Sequence, residues 1–197
     1  MQPVDAHVFD IASLQVGFSF RKGVEANEDG NYLVVQMKDL VGPTVDLGSV
    51  SPVADEGFRE NHMLESGDLV FRSRGSVFRV SRVGQTDLKL VLAAPLFRIR
   101  VRESVVLPEY LAWFLNLDST QTELAAKARG TAQKLVSLAE LGQFSVSIPS
   151  LETQKSIVEV ARLSSREQAL MEELATRRHT LVTHILESTV RFPRSLS

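Results

Sequence analysis

The chain has no cysteine, and it also lacks any long apolar run. Without cysteine it can form neither a disulfide bond nor a thiolate metal site. No apolar run approaches the roughly 18 residues of a membrane span, and the first residues, MQPVDAHVFD, lack the basic and then apolar pattern of a secretion signal. We therefore expect a cytoplasmic protein with no membrane association. Its 44% hydrophobic and 23% charged residues are ordinary values for a globular chain.

The signatures of the common enzyme classes are also missing. The chain has no GxSxG elbow, no Walker loop and no GxGxxG turn, and its four histidines do not fall at a metal-binding spacing such as HExxH. These histidines are His7, His62, His179 and His184. We therefore expect no catalytic residue, no metal ligand and no cofactor. One enzymatic alternative stays open, a small magnesium-dependent nuclease that uses Glu65 or Asp68 beside a turn.

Glycine and proline are absent from Leu151 to Ser188, which favours one uninterrupted helix. Ser150 can cap the exposed amides at its start, and Glu152 lies in the first turn, where the helix dipole favours a carboxylate. Roughly 37 residues at about 1.5 Å each would give a helix of about 55 Å. The outer half of such a helix cannot reach the core of its own domain.

The apolar residues of this helix form a narrow stripe, with spacings that mostly sum to seven. They are Ile157, Ala161, Leu163, Leu170, Leu174, Leu181 and Ile185. A stripe of this kind favours pairing with another helix as a coiled coil. Glu167 and either Arg178 or Arg177 interrupt the stripe. These charged residues would weaken the contact between two paired helices but fix their register. The alternative is a helix that folds back over its own domain.

The chain ahead of this helix has the mixed pattern of an α+β domain. Strands are predicted at 32–40, 69–71, 77–83 and 88–101, with a further short strand ending at Pro149. Amphipathic helices are predicted at 108–117 and 119–128. We therefore expect a globular domain over 1–149, a long helix over 150–190 and a C-terminal tail over 191–197.

The charge of the chain is unevenly distributed. Its formal net charge is −2, yet residues 72–102 contain eight arginines and lysines and a single aspartate. A basic segment in a nearly neutral chain is the pattern expected when one face of a protein meets a polyanion. The alternative is that these arginines form the solvated face of alternating strands.

Two short polar segments carry the residues of a phosphate-binding surface. The first is Arg72, Ser73, Arg74 and Gly75, in which the glycine has no Cβ and lets a ligand approach the backbone closely. The second, over 127–134, offers cations, a hydroxyl, an amide and a glycine. Its candidate residues are Lys127, Arg129, Gly130, Thr131, Gln133 and Lys134. A plain hairpin turn and an ordinary solvent loop remain the alternatives.

Four segments follow one another in an informative order: GDLVFRSRG, PEYLAWFLNL, ARGTAQKLVSLAELGQFSVSIPSLETQKSIV and the long helix. This order resembles the specificity subunit of type I restriction-modification systems. In that family a strand with a GD turn, a PxYL helix, a G-T/S-A loop, a short strand ending in I-P and a long helix recur in sequence. The resemblance extends from about Phe9 to Leu186. The chain departs from the family in its helix start, SLETQ in place of P-x-x-E-Q, and in containing the unit once where a typical member contains it twice.

The resemblance implies a non-catalytic DNA-recognition subunit, with a target recognition domain over 1–149. Family members read a split DNA site with two such domains, and their paired helices act as a spacer and as a docking surface. A chain with one copy implies a homodimer of half-subunits, with antiparallel helices and a bipartite palindromic site.

The implied partners are double-stranded DNA, a second copy of the chain, and the DNA methylation and restriction subunits that dock on it. The residues of the two polar segments are the candidates for contacts to phosphates or base edges, with Ser73 and Gln133 as hydrogen-bonding groups. Besides the nuclease, a protein-interaction module that uses the long helix without DNA remains the alternative.

Overall fold

The computed structural model describes residues 3–102, 104–130 and 134–191. The chain divides into two compact units, Met1–Lys155 and Ser156–Ser197. The strands of the first unit are β1 (Val4–His7), β2 (Ala12–Val16), β3 (Tyr32–Val35), β4 (Ser51–Val53), β5 (Met63–Leu64), β6 (Leu69–Arg72), β7 (Val80–Arg82), β8 (Leu90–Leu92), β9 (Leu96–Val101) and β10 (Ser145–Ile148). The helices are α1 (Val8–Ile11), α2 (Pro108–Leu115), α3 (Asp118–Lys127), α4 (Leu138–Gly142) and α5 (Leu151–Arg191).

The described strands pair into two four-stranded sheets and one two-stranded sheet. One sheet has the order β2-β9-β6-β7, and all its pairings are antiparallel. The other has the order β4-β3-β8-β5, in which β3 and β8 are parallel and the outer pairings antiparallel. The two-stranded sheet joins β1 to β10, with Val4 opposite Ile148. Mixed sheets combined with helices confirm the α+β expectation.

A buried apolar cluster connects the two larger sheets. Both sheets contribute side chains to it, among them Val35, Leu64, Val70, Leu90, Leu92 and Leu96. Since successive residues of a strand point to opposite faces, each strand buries alternate residues in this core. The core therefore fixes the end of β6, from which the first polar segment emerges.

The stretch predicted as one strand at 88–101 is two strands, β8 and β9, which belong to different sheets. Proline has no N–H to donate to a ladder, and Pro95 interrupts the stretch. The amide of Leu96 donates instead to the carbonyl of Ala93 at 3.1 Å, which closes a turn. This turn passes the chain from one sheet to the other.

Two other predicted strands are shorter than expected because side chains bind their backbone. The strand predicted at 32–40 ends at Val35, since the carboxylate of Asp39 accepts the Gln36 amide at 2.7 Å and holds a 3-10 turn. The strand predicted at 77–83 begins only at Val80, because the side chain of Gln121 accepts the Phe78 amide at 2.9 Å and donates to the Phe78 carbonyl at 3.0 Å. The first contact joins residues three apart and the second joins residues 43 apart, and neither follows from a hydrophobic pattern.

The long helix begins where the sequence predicts. The hydroxyl of Ser150 accepts the amide of Thr153 at 3.2 Å, which is an N-cap bond, and α5 then continues for 41 residues. No helix in the described part of the chain is long and apolar enough to cross a membrane.

Gln154 anchors the first turn of α5 to the first unit. Its side chain is fully buried, and its Oε1 accepts the amide of Leu107 at 2.9 Å. Its Nε2 donates to the carbonyls of Val105 and Pro149, at 3.2 and 2.9 Å. One amide side chain thus connects the loop before α2, the end of β10 and the start of the long helix.

Substitution Gln154→Ala is expected to destabilise the protein strongly. It would leave the Leu107 amide and two carbonyls buried without partners, at a cost of about 3 kcal/mol in the free energy of unfolding. The measurement is equilibrium unfolding in urea. Lys155→Ala, which removes an exposed neighbouring side chain, is the control and should change stability by less than about 0.5 kcal/mol. A loss below about 1 kcal/mol for Gln154→Ala would contradict this anchoring role.

Candidate functional site

The two polar segments singled out in the sequence meet in the structure. The amide of Gly75 donates to the carbonyl of Lys134 at 3.1 Å, and the amide of Val136 donates to the carbonyl of Ser73 at 3.0 Å. Arg74 and Leu135 thereby form an antiparallel bridge. Segments about 60 residues apart in sequence are therefore held side by side by their backbones.

A second bridge closes the loop that contains the later segment. The amide of Arg129 donates to the carbonyl of Leu135, and the amide of Leu135 donates to the carbonyl of Arg129, both at 2.9 Å. Thr131 and Gln133 lie outside the described residues. We call the described polar residues of the two joined segments the double-loop surface: Arg72, Arg74, Gly75, Lys127, Arg129, Gly130 and Lys134.

Ser73 differs from its neighbours because its side chain points into the fold. It is fully buried, and its hydroxyl donates to the carbonyl of Pro95. A hydroxyl that is buried and already bonded is not available to a ligand at the surface. The expected hydrogen bond from Ser73 to DNA is therefore corrected: this residue attaches the first loop to the turn between β8 and β9.

Gly75 has a conformation that requires glycine. Its φ is 120°, and a Cβ at this position would lie 3.3 Å from Nη2 of Arg72. The Nε of Arg72 donates to the carbonyl of Arg74 at 3.0 Å, so the guanidinium folds back over the loop. The glycine thus provides the space in which Arg72 braces the loop.

The other cations of the double-loop surface differ in how tightly they are held. The ammonium of Lys127 lies 5.1 Å from the ring centre of Phe144, and that of Lys134 contacts the Ala125 carbonyl at 3.5 Å. The side chain of Arg129 is 87% exposed, and only its Nε is engaged, with Glu140 at 3.0 Å. The Nη atoms of Arg129 have no partner among the described residues.

Glu140 is a site residue that the sequence prediction missed. One of its oxygens accepts the Ser137 amide at 2.8 Å, while its own amide donates to the Ser137 hydroxyl at 3.2 Å. The bonds from Ser137 and the neighbouring guanidinium of Arg129 lower the pKa of the Glu140 carboxyl. The S-x-x-E pattern at 137–140 is a capping-box signal that could have identified this carboxylate. Glu140 therefore stays charged and orients Arg129.

Several arginines of the basic segment at 72–102 are engaged inside the first unit. The guanidinium of Arg82 pairs with Glu109 at 3.1 Å. Arg98 is buried and donates to the Met63 carbonyl at 2.8 Å, and Arg102 donates to the Asp10 carbonyl at 2.8 Å. The expectation that the basic segment meets a polyanion is therefore not supported for these three arginines.

Glu65 and Asp68, the carboxylates of the nuclease alternative, both bind Arg100. The Nε and Nη2 of Arg100 donate to the two oxygens of Asp68 at 2.7 and 2.8 Å, and its Nη1 pairs with Glu65 at 2.9 Å. These bonds raise the pKa of Arg100 further above its usual value. No group of three or more metal-ligating side chains occurs in the described ranges. The two carboxylates thus form a structural ion-pair network.

The sequence matches one family of known proteins. A family model described as the type I restriction modification DNA specificity domain matches residues 6–174, which is most of the chain. Members of this family are non-catalytic components of restriction-modification complexes. No curated protein sequence is matched by this chain.

Solved structures share the fold. A chain from work on complex assembly and conformational transition of the type I R-M system matches with a TM-score of 0.74, 16% identity and 97% coverage of this chain. The HsdS subunit of Thermoanaerobacter tengcongensis matches with a TM-score of 0.66, 16% identity and 88% coverage of this chain. The type I restriction-modification S subunit of M. genitalium matches with a TM-score of 0.59, 10% identity and 99% coverage of this chain. The present chain covers only 45%, 40% and 47% of those three chains, respectively.

Arg100→Ala is expected to destabilise the protein by about 3 kcal/mol, because it leaves the carboxylate of Asp68, which is 3% exposed, buried without its charge partner. The measurement is equilibrium unfolding at neutral pH. Glu65→Gln is the matched control, since the side chain of Glu65 is 63% exposed and an exposed ion pair contributes at most about 1 kcal/mol. Equal effects of the two substitutions would contradict the assignment of Asp68 as the buried partner.

Proposed function

The chain belongs to the family of type I restriction modification DNA specificity domains, and from this membership we propose that it binds DNA sequence-specifically as a homodimer of half-subunits. The proposed target is double-stranded DNA with a bipartite palindromic sequence. DNA methylation and restriction subunits would dock on this dimer, which itself carries out no chemistry.

The double-loop surface is the observation that supports DNA binding most directly. It concentrates five cations from two distant segments: Arg72, Arg74, Lys127, Arg129 and Lys134. Since the segments are joined by backbone hydrogen bonds, the cations are presented together without an entropic cost of assembling the loops at each binding event. Contacts from such groups to phosphates fix position, and arginine also reads guanine.

Arg129 is the best candidate for a direct contact. With its Nε held by Glu140, the two Nη atoms keep four N–H donors, which suit a phosphate or the O6 and N7 atoms of guanine. Glu140 also restricts the rotamers of this exposed side chain, so less freedom is lost on binding. The proposal therefore assigns Arg129 to contact and Glu140 to positioning.

A homodimer is supported by the exposed apolar stripe of the long helix. The stripe on α5 leaves large apolar side chains exposed to solvent: Leu163 at 53%, Leu170 at 49%, Leu174 at 66% and Leu181 at 60%. Four exposed leucines along one helix are expected where a second helix covers them.

The charged residues of α5 favour an antiparallel pair of helices whose two-fold axis crosses near the middle of each helix. Consider a two-fold axis that crosses the pair between residues 172 and 173. With that axis, the stripe leucines of one copy lie level with apolar or small residues of the other: Leu163 with Val182, Leu170 with Ala175, Leu174 with Met171 and Leu181 with Ser164. The two charged residues of the stripe, Glu167 and Arg178, fall at equal distances from the same axis and face each other twice.

The neighbouring charges of the helix are paired within it. Arg162 binds Glu159 at 2.7 Å, and Arg177 binds Glu173 at 2.5 Å. Glu167 and Arg178 form no ion pair among the described residues. Of the two arginines that the sequence left open, Arg178 is therefore the better partner for Glu167 of a second copy. A parallel pairing would instead place like charges opposite one another.

Arg129→Ala should weaken binding to all DNA sequences. When the logarithm of the binding constant is plotted against the logarithm of the salt concentration, loss of one phosphate contact reduces the slope by about one unit for each chain bound. The measurement is a salt titration against a randomised duplex pool, with the retained DNA sequenced. Lys155→Ala also removes one exposed cation and should leave the slope unchanged. An unchanged slope for Arg129→Ala would reject its contact role, and no salt-dependent binding by the wild type would reject the DNA-binding function.

Glu167→Arg should weaken the dimer, because it places arginines opposite one another at two points of the seam. A loss of about 2 kcal/mol corresponds to a roughly 30-fold higher dissociation constant, measured by sedimentation equilibrium. Adding Arg178→Glu should restore the dimer, whereas adding Arg177→Glu should not. If Arg178→Glu and Arg177→Glu restored the dimer equally, the proposed pairing of Glu167 with Arg178 would be contradicted. A wild-type chain that stays monomeric at micromolar concentration would reject the homodimer and favour the protein-interaction module.

A further inference from the structure

A groove of about 420 Å³ opens beside the turn between β8 and β9. We call it the proline groove and define it by Ser19, Phe20, Gln36, Lys38, Ala94 and Pro95. Its volume lies within the range of clefts that bind small ligands. None of these residues is among the candidate DNA-contacting residues of the sequence or belongs to the double-loop surface.

The proline groove is linked to the first polar segment through the interior of the fold. Pro95, which lines the groove, accepts the hydrogen bond from the buried hydroxyl of Ser73. Ser73 stands between two arginines of the first loop, and its carbonyl accepts the amide of Val136 from the second.

The polar side of the groove is held rigidly by a buried carboxylate. Asp39 is fully buried, and its two oxygens accept the amide of Gln36 at 2.7 Å and the hydroxyl of Ser49 at 2.6 Å. These bonds fix the backbone over 36–39. The side chains of Gln36 and Lys38 thus start from a fixed turn, which is the pre-organisation that recognition requires.

Closely packed backbone supports Ala93 and Ala94, which line the groove. The amide of Phe18 donates to the carbonyl of Leu92 at 2.6 Å, and the amide of Ala94 donates to the carbonyl of Phe18 at 2.8 Å. A Cβ at Gly17 would lie 2.5 Å from the carbonyl carbon of Ala93, so only glycine permits this approach. The groove is therefore built into the fold and does not depend on surface side chains alone.

The chemistry of the groove suits nucleic acid. None of its lining residues is a carboxylate. The amide of Gln36 offers both a donor and an acceptor, the pair that reads the N6 and N7 atoms of adenine. Lys38 gives one donor to Ser51 at 3.2 Å and keeps two more N–H groups for a phosphate. A neighbouring depression is lined by Glu25 and Glu56 beside its cations, which makes it less suitable for a polyanion.

We propose that the proline groove is a further DNA-contacting site, in which Gln36 reads a base edge and Lys38 binds a phosphate. The inference rests on the proposed DNA-binding function and extends its surface beyond the double loop. Gln36 is then a specificity-determining residue, while Lys38 contributes affinity without sequence preference.

The test is selection from a randomised duplex pool together with a salt titration, on the full chain and on three single variants. Gln36→Ala should relax the preference at one base pair of each half-site, with about a tenfold loss for the preferred base. Lys38→Ala should weaken binding to all sequences and reduce the salt slope by about one unit for each chain. Lys22→Ala, in the neighbouring depression, is the matched control and should leave both properties unchanged.

Circular dichroism and thermal unfolding establish that each variant is folded. Gln36→Glu provides a second variant of nearly the same size, and it should move the preference at the same base pair from adenine towards cytosine. The groove proposal would be overturned if both Gln36 variants kept the base preference of the wild type. It would also be overturned if Lys38→Ala and Lys22→Ala gave equal slopes in the salt titration. If Arg129→Ala still flattens the slope in that case, the proposed function itself stands; a wild type that binds no DNA overturns both.

Discussion

Two backbone hydrogen bonds, from Gly75 to Lys134 and from Val136 to Ser73, hold the proposed recognition surface together. Each segment alone is a short polar loop, and a loop of that kind has many conformations. Joined edge to edge, and closed by the bridge between Arg129 and Leu135, they become one surface attached to the core of the two sheets. The positions of the cations therefore depend on the fold and not on the loops themselves.

Features that depend on neighbouring residues could be predicted from the sequence. The start of α5 at Leu151 follows from the Ser150 cap, and its continuity follows from the absence of glycine and proline. The mixed α+β character follows from alternating apolar patterns in the same way. The capping box of Glu140 is equally local, but its second role, holding Arg129, involves a residue 11 positions away and was not predictable.

Features that depend on distant residues could not be predicted. The buried hydroxyl of Ser73 binds Pro95, 22 positions later, and nothing in the sequence distinguishes it from an exposed loop serine. Arg100 likewise has the sequence surroundings of a surface arginine, yet it neutralises the buried Asp68, 32 positions earlier. The basic segment therefore divides into structural and available arginines only once the strands are paired. The resemblance to a family identified the function class without separating these two groups.

The pairing of β1 with β10 has a consequence for how such proteins are assembled. Val4 lies opposite Ile148, three residues before the first residue of α5. The chain thus enters its first strand close to the point where the long helix starts. In the proposed antiparallel dimer, the far end of one helix lies beside the start of the other, and therefore near the first strand of the second copy.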